Sequence, residues 1–255
     1  SLTIVELFRF GYKFTPFTKS DAVFPRTQMI EYLQQQEKPF RIMTTDRRVF
    51  HPNTPSYYRI ESIDGYDPIY LKNYSQFISV MQSENPYAKP SSFNRIVTPQ
   101  KTTSNLIDLL NVQYVVSLDT LNSNDLDLVI QEGQTKLYKN KNALPRVFFV
   151  EEVIKKATVA EEYVSLLEGD FSLSTKATST QYEFSAKSIP SDIKIISYTA
   201  GEITLSVKTE EKKPLIFTTP NYPGWQAQIN SKQTPVYQAD AIFQLIEIPK
   251  GEHEV

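Results

Sequence analysis

Asp64 and Asp67, three residues apart in Ile63-Asp64-Gly65-Tyr66-Asp67-Pro68, are the most suggestive pair of side chains in the chain. With Tyr66 between them they could hydrogen-bond the hydroxyls of a sugar. They could also divide acid and base roles, as paired carboxylates do in glycoside hydrolysis. The simpler reading is architectural: Asp67 caps a helix opening at Pro68, and Gly65 supplies a turn. The only tryptophan, Trp225, sits in Asn221-Tyr222-Pro223-Gly224-Trp225, where Pro then Gly suit the central positions of a type II turn. An exposed tryptophan on a β-sandwich can stack on a sugar ring, but sharing a strand face with Ala227 and Ile229 favours a core position. Asp64, Tyr66, Asp67 and Trp225 are therefore the candidate ligand-binding residues. Tyr57, Tyr58, Tyr70 and Tyr74 crowd the same region as Tyr66 and could line a polar groove, although tyrosine also fills ordinary half-buried positions.

Other chemistry is sparse. The sequence contains no phosphate-cradling G-x-x-x-x-G-K-[ST], no dinucleotide G-x-G-x-x-G and no G-x-S-x-G nucleophile elbow. With His51 and His253 the only histidines and no cysteine, thiolate ligands, cysteine nucleophiles and disulfides are excluded, and a histidine-based cluster has little to draw on. The acidic stretch Asp119–Asp127 fails as a calcium loop, because Asn124 stands where glycine is needed and Ile130 where glutamate is needed. Asn73-Tyr74-Ser75 is an N-x-S sequon inside an expected helix and carries no weight. No catalytic residue, metal site or cofactor is therefore assigned.

Hydrophobic residues make up 40% of the 255 and charged residues 22%, with a net charge of −2, which suits a folded chain with a substantial core. The balance lacks the clustered positive charge of a nucleic-acid binder, so no nucleic acid is expected as a partner. No apolar run approaches the roughly 18–20 residues of a membrane span, and no signal peptide is visible. Leu2, Ile4, Val5, Leu7, Phe8 and Phe10 form a short apolar start that reads as a first strand or as the tail of a longer hydrophobic helix. Gly251-Glu252-His253-Glu254-Val255 stops where a strand begins after a turn, so both ends read as cut from a longer chain, with the last strand interrupted.

The elements that must position the candidate residues divide into two parts. Residues 16–26, with Pro16, Ser20, Asp21 and Pro25, read as loop. Helical spacing recurs at Met29, Ile30 and Leu33, and again at Leu71, Tyr74, Phe77, Ile78 and Met81 behind Pro68. Phe40, Ile42 and Met43 suggest a short strand, and residues 85–104 a long loop holding Pro86, Pro90 and Pro99. Leu106, Leu109 and Leu110 suggest a short helix, and Val112–Val116 a strand. Residues 126–131 and 136–139 suggest a hairpin around Gly133, Val147–Val150 a strand, and 158–167 a helix stopped at Gly169. Beyond Gly169 come short alternating runs at 182–186, 193–198, 203–207, 215–218, 225–229 and 242–248, separated by turns. The expected class is α+β: a mixed α/β domain over 1–170, then a C-terminal antiparallel β-sandwich over 171–255.

Four stretches, in this order and spacing, resemble the YfhO family of bacterial polytopic membrane proteins. They are Pro39-Phe40-Arg41-Ile42 with Pro52-Asn53, and Gly65-Tyr66-Asp67-Pro68 with the Tyr70–Phe77 helix. They continue with Leu110–Val116 followed by Asn142–Phe149, and with Tyr222–Ala227 ending in Ile248–Val255. Asn230-Ser231-Lys232 departs from the family's Asp-Gly-Lys, changing a turn but no chemical role. The resemblance implies a glycosyltransferase-like protein that uses lipid-linked sugar to glycosylate envelope polymers such as lipoteichoic acid. It implies that this segment faces the extracytoplasmic side of the cell membrane and carries no catalytic residue of its own. Its implied partners are the transmembrane part of its own chain and an envelope glycan as acceptor. The alternatives are a free-standing carbohydrate-binding module, which would show aromatics on a concave face, and a hydrolase using Asp64 and Asp67, which would show both carboxylates facing one cleft.

Overall fold

The computed structural model describes residues 2–14, 18–91, 96–186, 188 and 190–255; Pro16, named in the expected loop, lies outside them. The chain forms two compact units, Ser1–Gln36 and Glu37–Val255. The first contains α1 (Leu2–Phe14), α2 (Ser20–Val23) and α3 (Gln28–Gln35). The apolar start is thus a helix, and no residue of α1 is buried. Glu6, Arg9 and Lys13 gather on one side of α1, while Ile4, Leu7, Phe8, Phe10, Tyr12 and Phe14 occupy a wide exposed apolar arc. Thr27 caps α3 by accepting the Ile30 N–H at 3.3 Å.

The second unit opens with β1 (Arg41–Thr44), α4 (Thr54–Tyr57), β2 (Glu61–Ser62), β3 (Gly65–Tyr66), α5 (Lys72–Ser83) and β4 (Ile96–Val97). It continues with α6 (Asn105–Leu109), β5 (Val112–Ser117), β6 (Leu126–Glu132), β7 (Thr135–Asn140), β8 (Val147–Phe149), β9 (Glu152–Lys155) and α7 (Val159–Leu167). After α7 the described elements are all strands. These are β10 (Lys176–Ser179), β11 (Phe184–Ser185), β12 (Ser191–Tyr198), β13 (Ile203–Thr209), β14 (Lys213–Phe217) and β15 (Ala227–Ile229). The last four are β16 (Lys232–Thr234), β17 (Tyr237–Ala239), β18 (Phe243–Ile248) and β19 (Gly251–Glu254). The fold is α+β, with its C-terminal part mostly strands. β19 is formed and pairs antiparallel with β13.

The helix expected at Pro68 begins only at Lys72, behind Leu71 as N-cap. The reason is local competition for backbone groups. Asp67 Oδ1 accepts the Ile69 N–H at 2.8 Å, and the Tyr70 hydroxyl donates to the Gly65 carbonyl at 3.0 Å, so residues 65–70 close on themselves.

Sheet order explains the apolar patterning. A mixed sheet runs β2-β1-β5-β7-β6, with β1 parallel to both β2 and β5. A four-stranded antiparallel sheet runs β17-β18-β14-β8, and a three-stranded one β12-β13-β19. Alternate residues of the four-stranded sheet, Val147, Phe149, Leu215, Ile246 and Ile248, pack against Leu205 and Val207 of β13, with Ile193 and Ile195 of β12 at the margin. That is a β-sandwich core. The intervening residues Phe148, Ile216, Phe243 and Leu245 face the opposite way, into a larger core with Phe77, Met81, Leu106 and Leu166 of the helices. The four-stranded sheet is therefore covered on both faces, which makes β14 and β18 nearly continuous apolar runs. Because β8 is one of its edge strands, this sheet draws on residues from both sides of position 170.

One joint in this packing is ionisable. Thr178 of β10 donates its N–H to Asp240 Oδ1 at 2.8 Å, and Ala241 donates its N–H to Glu162 Oε2 of α7 at 2.7 Å. The Thr178 hydroxyl lies 3.2 Å from both carboxylates, yet its one proton serves only one of them. Glu162 Oε1 and Asp240 Oδ2 are buried without a partner. Burial lifts Asp240 to about 7 and moves Glu162 the same way. The folded chain therefore keeps a proton that the unfolded chain releases above about pH 4. This stabilisation is fully present below about pH 4 and is lost as the pH rises to about 7. Asp240→Asn is expected to lower the slope of stability against pH in that window by about one proton, read from thermal melts across a pH series. An unchanged slope would place the titration elsewhere.

Candidate functional site: a groove at the end of the sandwich

The sandwich leaves an open groove where β15 crosses the end of the two packed sheets. Its entrance is shaped by the turn from Tyr222 to Trp225, closed by the Trp225 N–H donating to the Tyr222 carbonyl at 3.3 Å. Gly224 holds φ at 116°, a value that glycine tolerates and other residues rarely adopt. The strand beyond alternates as expected, with Ala227 and Ile229 packed against the sandwich core and Gln226, Gln228 and Asn230 exposed. Trp225 is half-buried and lines the groove, which has a volume of about 420 Å³. Phe217, Ile203 and Ile246 continue its apolar wall. Thr204, Gln226, Gln228, Gln244, Glu202 and Glu254 supply the polar groups. Gln244 Nε2 donates to the Pro220 carbonyl at 3.3 Å, which fixes its amide. An aromatic ring beside amides, hydroxyls and carboxylates can stack against a carbon ring and exchange hydrogen bonds with hydroxyls.

The other expected residues lie in a different place. Asp64 follows β2 and turns inward. Its Oδ2 accepts the Thr44 N–H at 2.9 Å, and its Oδ1 is out of contact with water and without a partner. Burial pushes its carboxyl up to about 7, against hydrogen bonds from Ser62 and Thr44 that favour the charge. Tyr66 is exposed, held by its backbone: its N–H donates to Asn53 Oδ1 at 3.0 Å, and Asn53 Nδ2 donates to its carbonyl at 2.8 Å. Asp67 is exposed and occupied by the Ile69 N–H. Among the tyrosines, Tyr74 donates to the Ile63 carbonyl at 2.7 Å and Tyr70 to that of Gly65, so both pin the loop that carries Asp64. Tyr58 is buried and Tyr57 exposed. The structure thus keeps Asp64, Tyr66 and Asp67 on one loop with different orientations, and none of them lines the groove of Trp225.

Sequence reading missed the partners of Trp225. Phe217, Thr204 and Gln244 come from three strands whose registers are set by long-range pairing. The only local signal was Gln244, a polar residue inside the apolar run of β18. Among the described residues no group of three His, Cys, Asp or Glu stands close enough to hold a metal ion, and no helix is long and apolar enough to cross a membrane.

Residues 168–255, which include the turn, Trp225 and most of the sandwich, match the family model described as bacterial membrane protein YfhO. Over that stretch the chain is similar to the YfhO family. No curated protein and no solved structure matches the chain. The YfhO match spans every residue lining the groove, from Gly201 to Val255. Trp225→Ala is expected to leave the chain folded and to cost at most about 2 kcal/mol in urea unfolding, because the ring is only half-buried. Phe243→Ala, which empties a fully buried site, is expected to cost about 3–5 kcal/mol.

Proposed function

We propose that this chain is a non-catalytic, extracytoplasmic domain of a membrane-embedded, glycosyltransferase-like protein that modifies cell-envelope polymers, and that its groove holds the acceptor glycan. The observation that carries this reading is the half-buried Trp225 ring at the mouth of a groove walled by amides, hydroxyls and two carboxylates. Sugars present an apolar ring face and a rim of hydroxyls, and this wall offers a partner for each. The YfhO match supplies the membrane setting. The exposed apolar arc of α1, bordered by Arg9 and Lys13, supports contact with a lipid surface, since wide apolar arcs with basic flanks favour the membrane interface. Asp64, Tyr66 and Asp67 take no part in glycan binding in this reading.

The test is calorimetric titration of the chain with envelope glycan fragments, using wild type, Trp225→Ala and Gln228→Ala. Saturable binding is expected, weakened about tenfold or more by Trp225→Ala, as loss of one stacking contact worth about 0.5–1.5 kcal/mol plus its buried area requires. Gln228→Ala, at an exposed position, is expected to weaken binding several-fold with no change in melting temperature. Binding that both variants leave intact would remove the groove from the function. Labelling of an engineered surface cysteine in intact cells tests the side of the membrane, and labelling only after lysis would overturn the extracytoplasmic placement.

A further inference from the structure

A second concavity has a different origin. In the mixed sheet β1 lies between β2 and β5, both parallel to it, so the chain leaving β1 goes first to one side and then returns to the other. Crevices at the carboxyl ends of parallel strands, where the direction of winding changes, are where open α/β sheets take ligands. A cavity of about 620 Å³ opens at the carboxyl end of β1, lined by Thr45, Asp46 and Arg47 directly after β1, and by Thr98 and Gln100 after β4. The volume lies within the usual range of small-molecule sites. The Thr45 hydroxyl donates to Ser117 Oγ at 3.1 Å, joining the carboxyl ends of β1 and β5 under the cavity. Ile78, Ile96 and Val97 give it an apolar floor.

The wall carries one acid, Asp46, and one base, Arg47. Asp46 is neutralised by Arg48, whose Nη2 lies 2.6 Å from Oδ2 and whose Nε donates to the same carboxylate. Arg47 is exposed and makes no ion pair among the described residues. A smaller cavity adjoins the first, sharing Arg47 and Thr98, and is lined by Thr44, Ser62 and Asp64. There Asp64 Oδ1 and Thr44 Oγ1 are buried with no hydrogen-bond partner. Buried polar atoms are rarely left so, and these two mark a place where a hydroxyl or a bridging water is called for.

We infer that the crevice at the carboxyl end of β1, between it and the segment after β4, is a ligand site for a small hydroxylated anion, a phosphorylated or carboxylated polyol. Arg47 takes the anionic group, a geometry the guanidinium fork suits. Thr45, Thr98 and Gln100 face the hydroxyls, and the chain of unpaired groups at Thr44 and Asp64 is completed through a water. This inference stands apart from the glycan groove, with which the crevice shares no lining residue.

The experiment is calorimetric titration of the whole chain with glycerol 3-phosphate, gluconate, inorganic phosphate and glycerol. Wild type, Arg47→Ala, Thr98→Val and Trp225→Ala are compared, each first shown to melt like wild type. The expected result is saturable binding of glycerol 3-phosphate or gluconate at least tenfold tighter than inorganic phosphate or glycerol. Arg47→Ala is expected to lose tenfold or more, Thr98→Val several-fold, and Trp225→Ala nothing. No saturation by either hydroxylated anion up to about 10 mM, the weak end of specific recognition, overturns the site. So does an unchanged affinity in Arg47→Ala. Equal affinity for inorganic phosphate overturns the ligand class, and loss in Trp225→Ala reassigns the binding to the groove.

Discussion

The four-stranded sheet β17-β18-β14-β8 is the constraint on which the rest depends, because it must be covered on both faces. One face is closed by β12-β13-β19, and the other by α5, α6 and α7 with the mixed sheet beyond them. A buried Leu, Ile or Phe contributes about 1.5–3 kcal/mol by removal from water, so strands such as Lys213–Phe217 and Phe243–Ile248 cannot leave either face open. Both concavities lie at the margins of this arrangement. The groove of Trp225 lies among β13, β14, β15 and β18, and the crevice of Arg47 lies at the carboxyl end of β1 in the mixed sheet.

Legibility in the sequence followed the range of the interactions. Val112–Val116, the hairpin around Gly133 and the helix behind Thr158 were all readable, since each is decided by side chains a few residues apart. Gly133, with φ at 60°, is one such local determinant. β9 and β10 were not readable, because Glu152–Lys155 and Lys176–Ser179 are short, carry polar residues, and become strands by long-range pairing, β9 with β10 across α7 and with β11. The helix at Pro68 was misplaced because Asp67 and Tyr70 spend their hydrogen bonds on the loop. Trp225 could be found as a residue but not as a site. Its groove is assembled from β13, β14, β15 and β18, and no local pattern states which strands will lie beside which.

Buried charge adds a specific kind of order to this framework. Arg146, placed just before β8, has a side chain only 1% exposed and donates from Nη2 to Glu61 Oε2 at 2.6 Å, while its Nε and Nη1 have no hydrogen-bond partner. The ring of Tyr198 in β12 lies 5.7 Å from its guanidinium carbon. Arg41 of β1 sits beside them, lowered to about 10 by burial and by the neighbouring Arg146 charge, and donates to the carbonyls of Leu110 and Thr218. Segments of β1, β2 and β12 and the one leading into β8, drawn from three sheets, thus meet at two guanidiniums and one carboxylate. Such clusters add little net stability, because desolvation offsets most of the Coulomb gain, but breaking one partner leaves a charge stranded.

The opposite imbalance stands at Glu162 and Asp240, where two carboxyls meet with no cation paired to either among the described residues. The contrast is informative because the two clusters brace the same sheet at different places. Arg146 leads into β8 at one edge, and Asp240 follows β17 at the other. A guanidinium keeps its charge at every physiological pH, so the β8 edge is held in the same way throughout. The carboxyl pair needs a proton to be comfortable, so the β17 edge is firmer in mild acid and looser above about pH 7. Gln244, which lines the groove, lies on β18 directly opposite Gln238 of β17. The groove wall therefore adjoins that edge through one cross-strand pair.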